Sequence, residues 1–303
     1  MKKLTTILLA TAALLVAAVS CNKEGNEPEG RMAQLSYEVS LSEPVAKALG
    51  DGSTVSSLAC AVYDGAELYD AATVARTDGK FTYTPSLYYG KTYTVVFFAY
   101  TEGAYNVNDG LTTVTRNGNG EKTDAFTYKE TVKINADGTL TIDGVASEQT
   151  ASGHSVTLTR PFAQLNIGTE SLDDMATAGA TAVKVTLSGC AASYSALAGT
   201  CSGNATVTYT SSVSDFSADR FSVNGKDYSL VSLNYLFASD NVTAVIEVMD
   251  AADAVIRKIT VDNLPIKANQ RTNIYGNLVK GDLTFNVDIN AGFGTEPTDK
   301  TIE

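Results

Sequence analysis

The sequence predicts an all-β chain, two consecutive β-sandwich domains behind an amino-terminal signal segment, and three observations carry that expectation. Apolar runs are short, mostly alternating, and bounded by Gly, Asn and Asp from residue 34 to residue 289. No stretch beyond the first twenty residues sustains a helical period over several turns. The composition, with 15 Tyr, 24 Gly, 18% charged residues and many Thr, Ser and Val, suits strands and turns better than helices. At 303 residues and 44% hydrophobic, the chain has apolar material for about two packed domains.

The segments follow in order. Met1-Lys2-Lys3 is a short basic head, Leu4 to Val19 carries no charge, and the run closes with Ala18-Val19-Ser20-Cys21. Small residues ahead of a cysteine, with a polar stretch behind it, resemble the lipobox of exported lipoproteins. Residues 1–20 are therefore read as a lipoprotein signal peptide and Cys21 as the lipidated residue, the chain's means of holding a membrane. Each buried CH₂ of such an anchor is worth about 0.8 kcal/mol, so two or three chains hold firmly where one does not. Residues 21–33 (with NKEGNEPEG at 22–30) form an acidic, polar tether. Acidic stretches in this place resemble surface-export signals of Bacteroidota lipoproteins, which points to the outer membrane and the cell surface.

Residues 34–150 are expected to form the first sandwich. It opens with Gln34 to Leu41, where Leu35, Tyr37, Val39 and Leu41 share one face. Strands are expected at Val55–Asp64, Phe81–Thr84, Thr92–Tyr100, Leu111–Thr115, Thr131–Ile134 and Thr139–Ile142, and NADG at 135–138 signals a hairpin. The polar stretch Gly144–Gly153 is the natural boundary, so residues 151–303 form the second sandwich. Its strands are expected in Ser155–Ile167, Ala182–Leu187, Ala205–Thr210, Ser229–Ala238, Val242–Met249, Val255–Val261, Arg271–Val279 and Leu283–Ile289. One short helix is expected at Ser171–Ala178, which begins with a capping serine and two acids.

Chemistry is poorly supplied. Lys2 and Lys3 are the only charges before Cys21, leaving 20 basic against 34 acidic residues, a net −14 that repels phosphate backbones and argues against nucleic acid. The single histidine, His154, lies in SGHS and reads as an exposed loop residue, with no GxSxG elbow to serve it. Acids concentrate in turn pairs such as Asp109-Gly110, Asp137-Gly138 and Asp143-Gly144, where turn geometry alone favours Asp. Trp is absent, and Tyr88, Tyr89 and Tyr100 are the available substitutes for a sugar platform. No Cys/His cluster supports a metal, and no cofactor loop is present. Beyond Cys21, Cys60, Cys190 and Cys201 remain, of which Cys190 and Cys201 flank a short loop and could pair in an oxidising compartment. The chain is expected not to be an enzyme.

Several segments, in order, resemble the fimbrillin-like lipoproteins of Bacteroidales, the type V pilin superfamily. They are the lipobox at Cys21, VAKALGDGSTV at 45–55 with AVYD at 61–64, YTVVFFAY at 93–100, DAF at 124–126, LTRPFAQLNIGT at 158–169, LPIKANQRTNIYGNL at 264–278, and the terminal strand with NAGFG. The resemblance implies two Greek-key β-sandwiches and a structural or adhesive subunit, or an anchor or accessory subunit, of a pilus assembled by strand exchange. In such pilins a protease cuts after a basic residue near the amino terminus, and a strand of the next subunit fills the opened groove. The processing candidates here are Arg31, which precedes the first strand, and Lys47, which follows it. The terminal strand, with Leu283, Phe285, Val287 and Ile289 on one face, could be the donor, although an ordinary sandwich strand has the same alternation. The alternative is a surface protein that binds a glycan or a host or bacterial protein and never polymerises. A hydrolase using a carboxylate pair is the third reading.

Overall fold

The structure, a computed structural model, describes residues 30–42, 52–118, 123–217, 220–281, 283–289 and 297–301. Thirteen strands build the first body. They are β1 (Met32–Gln34), β2 (Tyr37–Leu41), β3 (Ser57–Asp64), β4 (Glu67–Ala75), β5 (Phe81–Tyr83), β6 (Ser86–Tyr88) and β7 (Thr92–Tyr100), then β8 (Tyr105–Val107), β9 (Val114–Arg116), β10 (Ala125–Ile134), β11 (Thr139–Ile142), β12 (Val145–Thr150) and β13 (His154–Leu158). One wall is a six-stranded sheet in the order β12-β11-β10-β7-β3-β4. The other is made of a three-stranded sheet, β13-β2-β5, beside the pair β1-β6. Side chains from both walls meet in one core that includes Tyr37, Phe81, Tyr83, Phe97 and Phe126.

The expected hairpin at NADG joins β10 to β11, with Gly138 at φ +86°, a conformation that costs glycine least, and the Asp137 carboxylate accepting from the Thr139 N–H at 3.0 Å. SLACAVYD in β3 is buried at every position except Asp64 because the sheet is covered on both faces. Its second face meets a small sheet in which β8 and β9 are joined by two short strands of the second half, Ser193–Ser195 and Thr200–Ser202, so that Phe98, Tyr105 and Val114 of the first half pack with Phe162, Tyr194 and Phe237 of the second.

The second body continues with β14 (Phe162–Thr169), α1 (Leu172–Thr177), β15 (Ala182–Cys190), β16 (Ser193–Ser195), β17 (Thr200–Ser202), β18 (Ala205–Ser212), β19 (Arg220–Val223), β20 (Lys226–Phe237), β21 (Ser239–Met249), β22 (Val255–Ile266), β23 (Gln270–Gly276), β24 (Leu283–Ile289) and β25 (Pro297–Thr301). Sheet β19-β20-β14-β23-β24-β25 faces sheet β18-β15-β21-β22 across an aliphatic core of Leu165, Ile167, Val185, Leu187, Ile246 and their neighbours. Helix α1 is capped as expected, with Ser171 Oγ accepting from the Asp174 N–H at 3.1 Å. Gly168 admits the Phe221 ring, whose nearest atom would lie 2.4 Å from an added Cβ.

Two expectations are corrected. The boundary at 150 and 151 comes too early: His154–Leu158 pairs in parallel with β2 and belongs to the first body, so the chain changes bodies at Thr159–Pro161. Just there, Arg160 forms a buried two-pronged pair with Asp124 (2.9 Å from Nε and 2.7 Å from Nη2 to Oδ2) and lies 4.7 Å from the centre of the Phe126 ring. The Cys190–Cys201 bridge is not formed. Cys190 is buried in the aliphatic core of the second body, whereas Cys201 packs beside the junction cluster on the β16–β17 hairpin.

Candidate functional site

The amino-terminal strand is the feature that the rest of the first body is built around. In the run Leu35-Ser36-Tyr37-Glu38-Val39, alternation sends Leu35, Tyr37 and Val39 inward, all at 0% exposure, and leaves Glu38 exposed. β2 is an inner strand. It runs parallel to β13, with Tyr37 opposite His154 and Val39 opposite Val156, and antiparallel to β5, with Tyr37 opposite Tyr83 and Val39 opposite Phe81. Bonds continue past its ends. Leu35 N–H donates to Pro85 (3.0 Å), Ser36 N–H to Ala151 (2.9 Å), His154 N–H to Ser36 (2.9 Å) and Ser42 N–H to Leu158 (2.9 Å). Taking β2 away would leave a slot one strand wide between β13 and β5, apolar along its floor except at the centre, and lined by unpaired backbone groups on both sides.

The centre of the seat is polar and closed. Tyr37 lies edge-on to Phe97 at 5.0 Å between ring centres, beside the His154 ring at 5.0 Å. Its hydroxyl donates to Glu130 Oε1 at 2.8 Å, and Tyr128 donates to Glu130 Oε2 at 3.1 Å. His154 Nε2 meets Glu130 Oε1 at 2.8 Å, with both side chains at or below 2% exposure. Gln149 Oε1 accepts from the Ser155 N–H at 2.9 Å, which identifies it as the oxygen, so His154 Nδ1, 2.7 Å away, donates to it. His154 is thereby fixed with Nε2 aimed at Glu130 Oε1. Burial first, and the neighbouring Glu130 carboxylate second, raise Tyr37 well above the ordinary tyrosine value of 10.0. Burial, then the hydrogen bond to Asp70 (2.7 Å), raises Tyr83 in the same way.

His154 is thus not the exposed loop residue expected of it but the buried partner of a strand seat. The signal that locates it is the alternation His154, Val156, Leu158 against Ser155 and Thr157, which puts the ring on the apolar face of β13. Of the other expected site residues, Cys21 and Lys47 lie outside the described residues. Arg31 is exposed just before β1, its guanidinium 4.9 Å from the Tyr89 ring centre. A cut after it would leave both β1 and β2 attached to the body. The terminal strand Leu283–Ile289 is paired on both sides, with β23 and with β25. Tyr88, Tyr89 and Tyr100 are each half-buried.

A concavity lies in the second body, beside the junction sheet. It has a volume of about 690 Å³ and is lined by small residues such as Gly189, Gly199 and Ala238, with Tyr194, Asp240 and Lys267 as its larger polar members. Cys201 is in its wall, and burial raises that thiol above its ordinary value. Cys190, deeper in the second body, is pushed up to about 11 by burial and stays a neutral core side chain. Among the described residues no group of His, Cys, Asp and Glu is placed to hold a metal ion.

Fold and seat together define the class: an all-β protein of two joined sandwiches, with its amino-terminal strand embedded inside a sheet of the first. Residues 60–303 match a family of unknown function, DUF6562, and the chain belongs to that family. No curated protein matches it. Among solved structures the chain is similar to a candidate cell adhesion protein of Parabacteroides distasonis, at 10% identity over 89% of this chain and 96% of that one, with a TM-score of 0.48. It is also similar to a fimbrial assembly protein of the same species (12% identity, 89% and 99% covered, TM-score 0.44). A third is the tip fimbrial protein Mfa3 of Porphyromonas gingivalis (11% identity, 84% and 99% covered, TM-score 0.41).

Proposed function

We propose that this is a lipid-anchored surface protein, a structural or adhesive subunit of a fibre assembled by strand replacement, with the lipid on Cys21 as its tie to the outer membrane. One observation carries the reading: β2, close to the amino terminus, is the inner strand of a three-stranded sheet, and it and Leu35 just before it contribute three completely buried side chains, Leu35, Tyr37 and Val39. Burial of each is worth about 1.5–3 kcal/mol, so an emptied slot has a strong tendency to be refilled. A cut near Lys47 would sever β1 and β2 from the body and leave them held by non-covalent contacts alone, whereas a cut at Arg31 would release only the anchor.

The sequence also supplies a strand of matching pattern. Leu35-Ser36-Tyr37-Glu38-Val39-Ser40-Leu41 and Leu283-Thr284-Phe285-Asn286-Val287-Asp288-Ile289 agree position by position in large apolar residue and polar spacer. A second copy's β24 could therefore present Leu, Phe, Val and Ile where the resident strand presents Leu, Tyr, Val and Leu. Donation requires β24 and β25 to peel from β23, which leaves the remaining strands of that sheet in register. Such a head-to-tail contact does not close on itself and grows as a fibre.

The test is to cut the chain between residues 43 and 51 at an engineered protease site, strip the freed strand, and follow assembly. Concentration-dependent, detergent-resistant oligomers, blocked by excess peptide spanning residues 34–42, are expected. A stripped protein that stays monomeric at every concentration overturns the reading. The cleft beside the junction sheet favours a second one, a binding protein for a surface glycan or protein, checked by saturable ligand binding that Asp240→Ala and Lys267→Ala abolish.

A further inference from the structure

We propose that Glu130, oriented by His154, is an acceptor site for a tyrosine at the central position of the seated strand, and that it retains the resident strand against one carrying phenylalanine there. The inference rests on the strand-replacement reading and adds a selectivity to it.

Two ionisable groups of the seat face the strand, Glu130 and His154, and the carboxylate of Glu130 is aimed at one atom of it. Glu130 Oε1 receives the Tyr37 hydroxyl and His154 Nε2, while Oε2 receives Tyr128. His154 is fixed in turn by Gln149, whose side-chain oxygen is pinned by the Ser155 N–H. β10 (Glu130 and Tyr128), β12 (Gln149) and β13 (His154 and Ser155) thus together hold a carboxylate against β2. From β5, Tyr83 turns its hydroxyl away to Asp70 and does not compete for Glu130. Tyr37 is the only donor to the carboxylate that the strand itself brings.

The matching strand lacks that donor. Aligned on Leu35, Tyr37, Val39 and Leu41, the segment beginning at Leu283 puts Phe285 at the position of Tyr37. The ring fits the same space, but the hydroxyl is missing, and a buried carboxylate acceptor loses one partner. Hydrogen bonds to charged groups are the strong ones, and leaving such a group under-satisfied is penalised further. The resident strand and its replacement are therefore alike in shape and unlike at one atom. A chain seated with its own strand is held in the closed state, so exchange awaits the cut that turns intramolecular seating into a dissociable contact.

The experiment uses the full chain, cut between residues 43 and 51 with the strand left in place, and measures strand release on dilution. Tyr37→Phe should release about tenfold faster or more. Crossed with Glu130→Gln, the advantage of the tyrosine should shrink to about threefold or less, because a neutral acceptor is roughly half as strong. Val39→Ala should speed release by the same factor whether or not Glu130 is replaced, which separates recognition from general packing. Conversely, a Phe285→Tyr peptide of residues 283–289 should leave an emptied seat more slowly than the unaltered peptide. Equal release of the Tyr37 and Tyr37→Phe strands from the unaltered body overturns the proposal, and needs no variant of Glu130 to fold. Failure of any 283–289 peptide to enter the seat instead sinks donation by β24, while the release rates of the resident strand still decide the role of Tyr37.

Discussion

The two sandwiches differ in how they are closed. In the second, strands of 8 to 12 residues (β14, β20, β21, β22) face one another across a core that is aliphatic apart from Tyr209. In the first, the long sheet is covered by strands of three to five residues (β1, β2, β5, β6, β13), and the core carries Tyr37, Phe81, Tyr83, Tyr93, Phe97 and Phe126. Long inner strands with branched side chains make a wall that only an edge segment such as the pair β24-β25 could leave. Short strands tied by a few backbone bonds each, with large rings between them, make a wall from which one strand can be lifted as a unit. Phenolic rings also need polar partners once buried, and in the first body Tyr37 finds its partner in the Glu130–His154 network inside the core, whereas the second body gathers Phe221, Tyr228, Tyr235 and Tyr275 in a cluster apart from its aliphatic core.

The largest expected effect tests this contrast directly. Phe97→Ala removes the ring that meets Tyr37 at 5.0 Å and Tyr83 at 6.1 Å, and should lower stability by about 3–5 kcal/mol while greatly speeding release of the cut strand. Leu187→Ala, in the aliphatic core, should lower stability by about 2–5 kcal/mol and leave strand release unchanged. Urea unfolding and release on dilution, measured on both variants, check it. Equal acceleration of release by Leu187→Ala would show that the aromatic junction welds the bodies into one cooperative unit, and the contrast would fail.

A pH effect of intermediate size sharpens the comparison. Tyr37 keeps its proton in the seat beyond the pH at which a free tyrosine loses it, because burial and the Glu130 carboxylate both disfavour the phenolate. Its folded value is raised, so the associated stabilisation is complete below the ordinary value of 10.0 and is lost as pH rises above it. Release of the cut strand should accelerate steeply above about pH 10, and Tyr37→Phe should flatten that alkaline limb. An unchanged limb in the variant would assign the effect to Tyr83 and Tyr128, which remain behind when β2 leaves.

Much of this fold was legible in the sequence wherever a local rule governs it. Alternation in YEVSL, the NADG turn and the Ser171 cap each declare their structure within a few residues, and each is found where it was expected. What was illegible depends on partners distant in the chain. His154–Leu158 joins the first body because β2, more than a hundred residues earlier, lies beside it, and nothing in SGHSVTL states that. The face that His154 takes follows from the local alternation, but its partner Glu130, on another strand, does not. The four-stranded junction sheet escaped notice because strands of three residues, such as Tyr105–Val107 and Ser193–Ser195, are too short to show a period. The seat was half visible: the amphipathic strand could be read, but its polar floor could not.

The smallest expected effect belongs to the second body and should stay there. Asp174, in the first turn of α1, accepts from Lys280 Nζ and from Asn277 Nδ2, both at 2.6 Å, which ties the helix to the segment following β23. Lys280 first and Asn277 second hold its carboxyl below the ordinary value of 3.8. A depressed carboxylate stabilises the fold at pH values above the ordinary one, and that contribution is lost as pH falls through its folded value. Asp174→Asn should therefore lower the urea midpoint slightly at neutral pH, with the two proteins converging as pH falls below about 4. Strand release from the first body should be identical in both at every pH. If the variant also loosened β2, acid would reach the seat through the second sandwich, and the division of labour between an unyielding body and an exchangeable one would have to be redrawn.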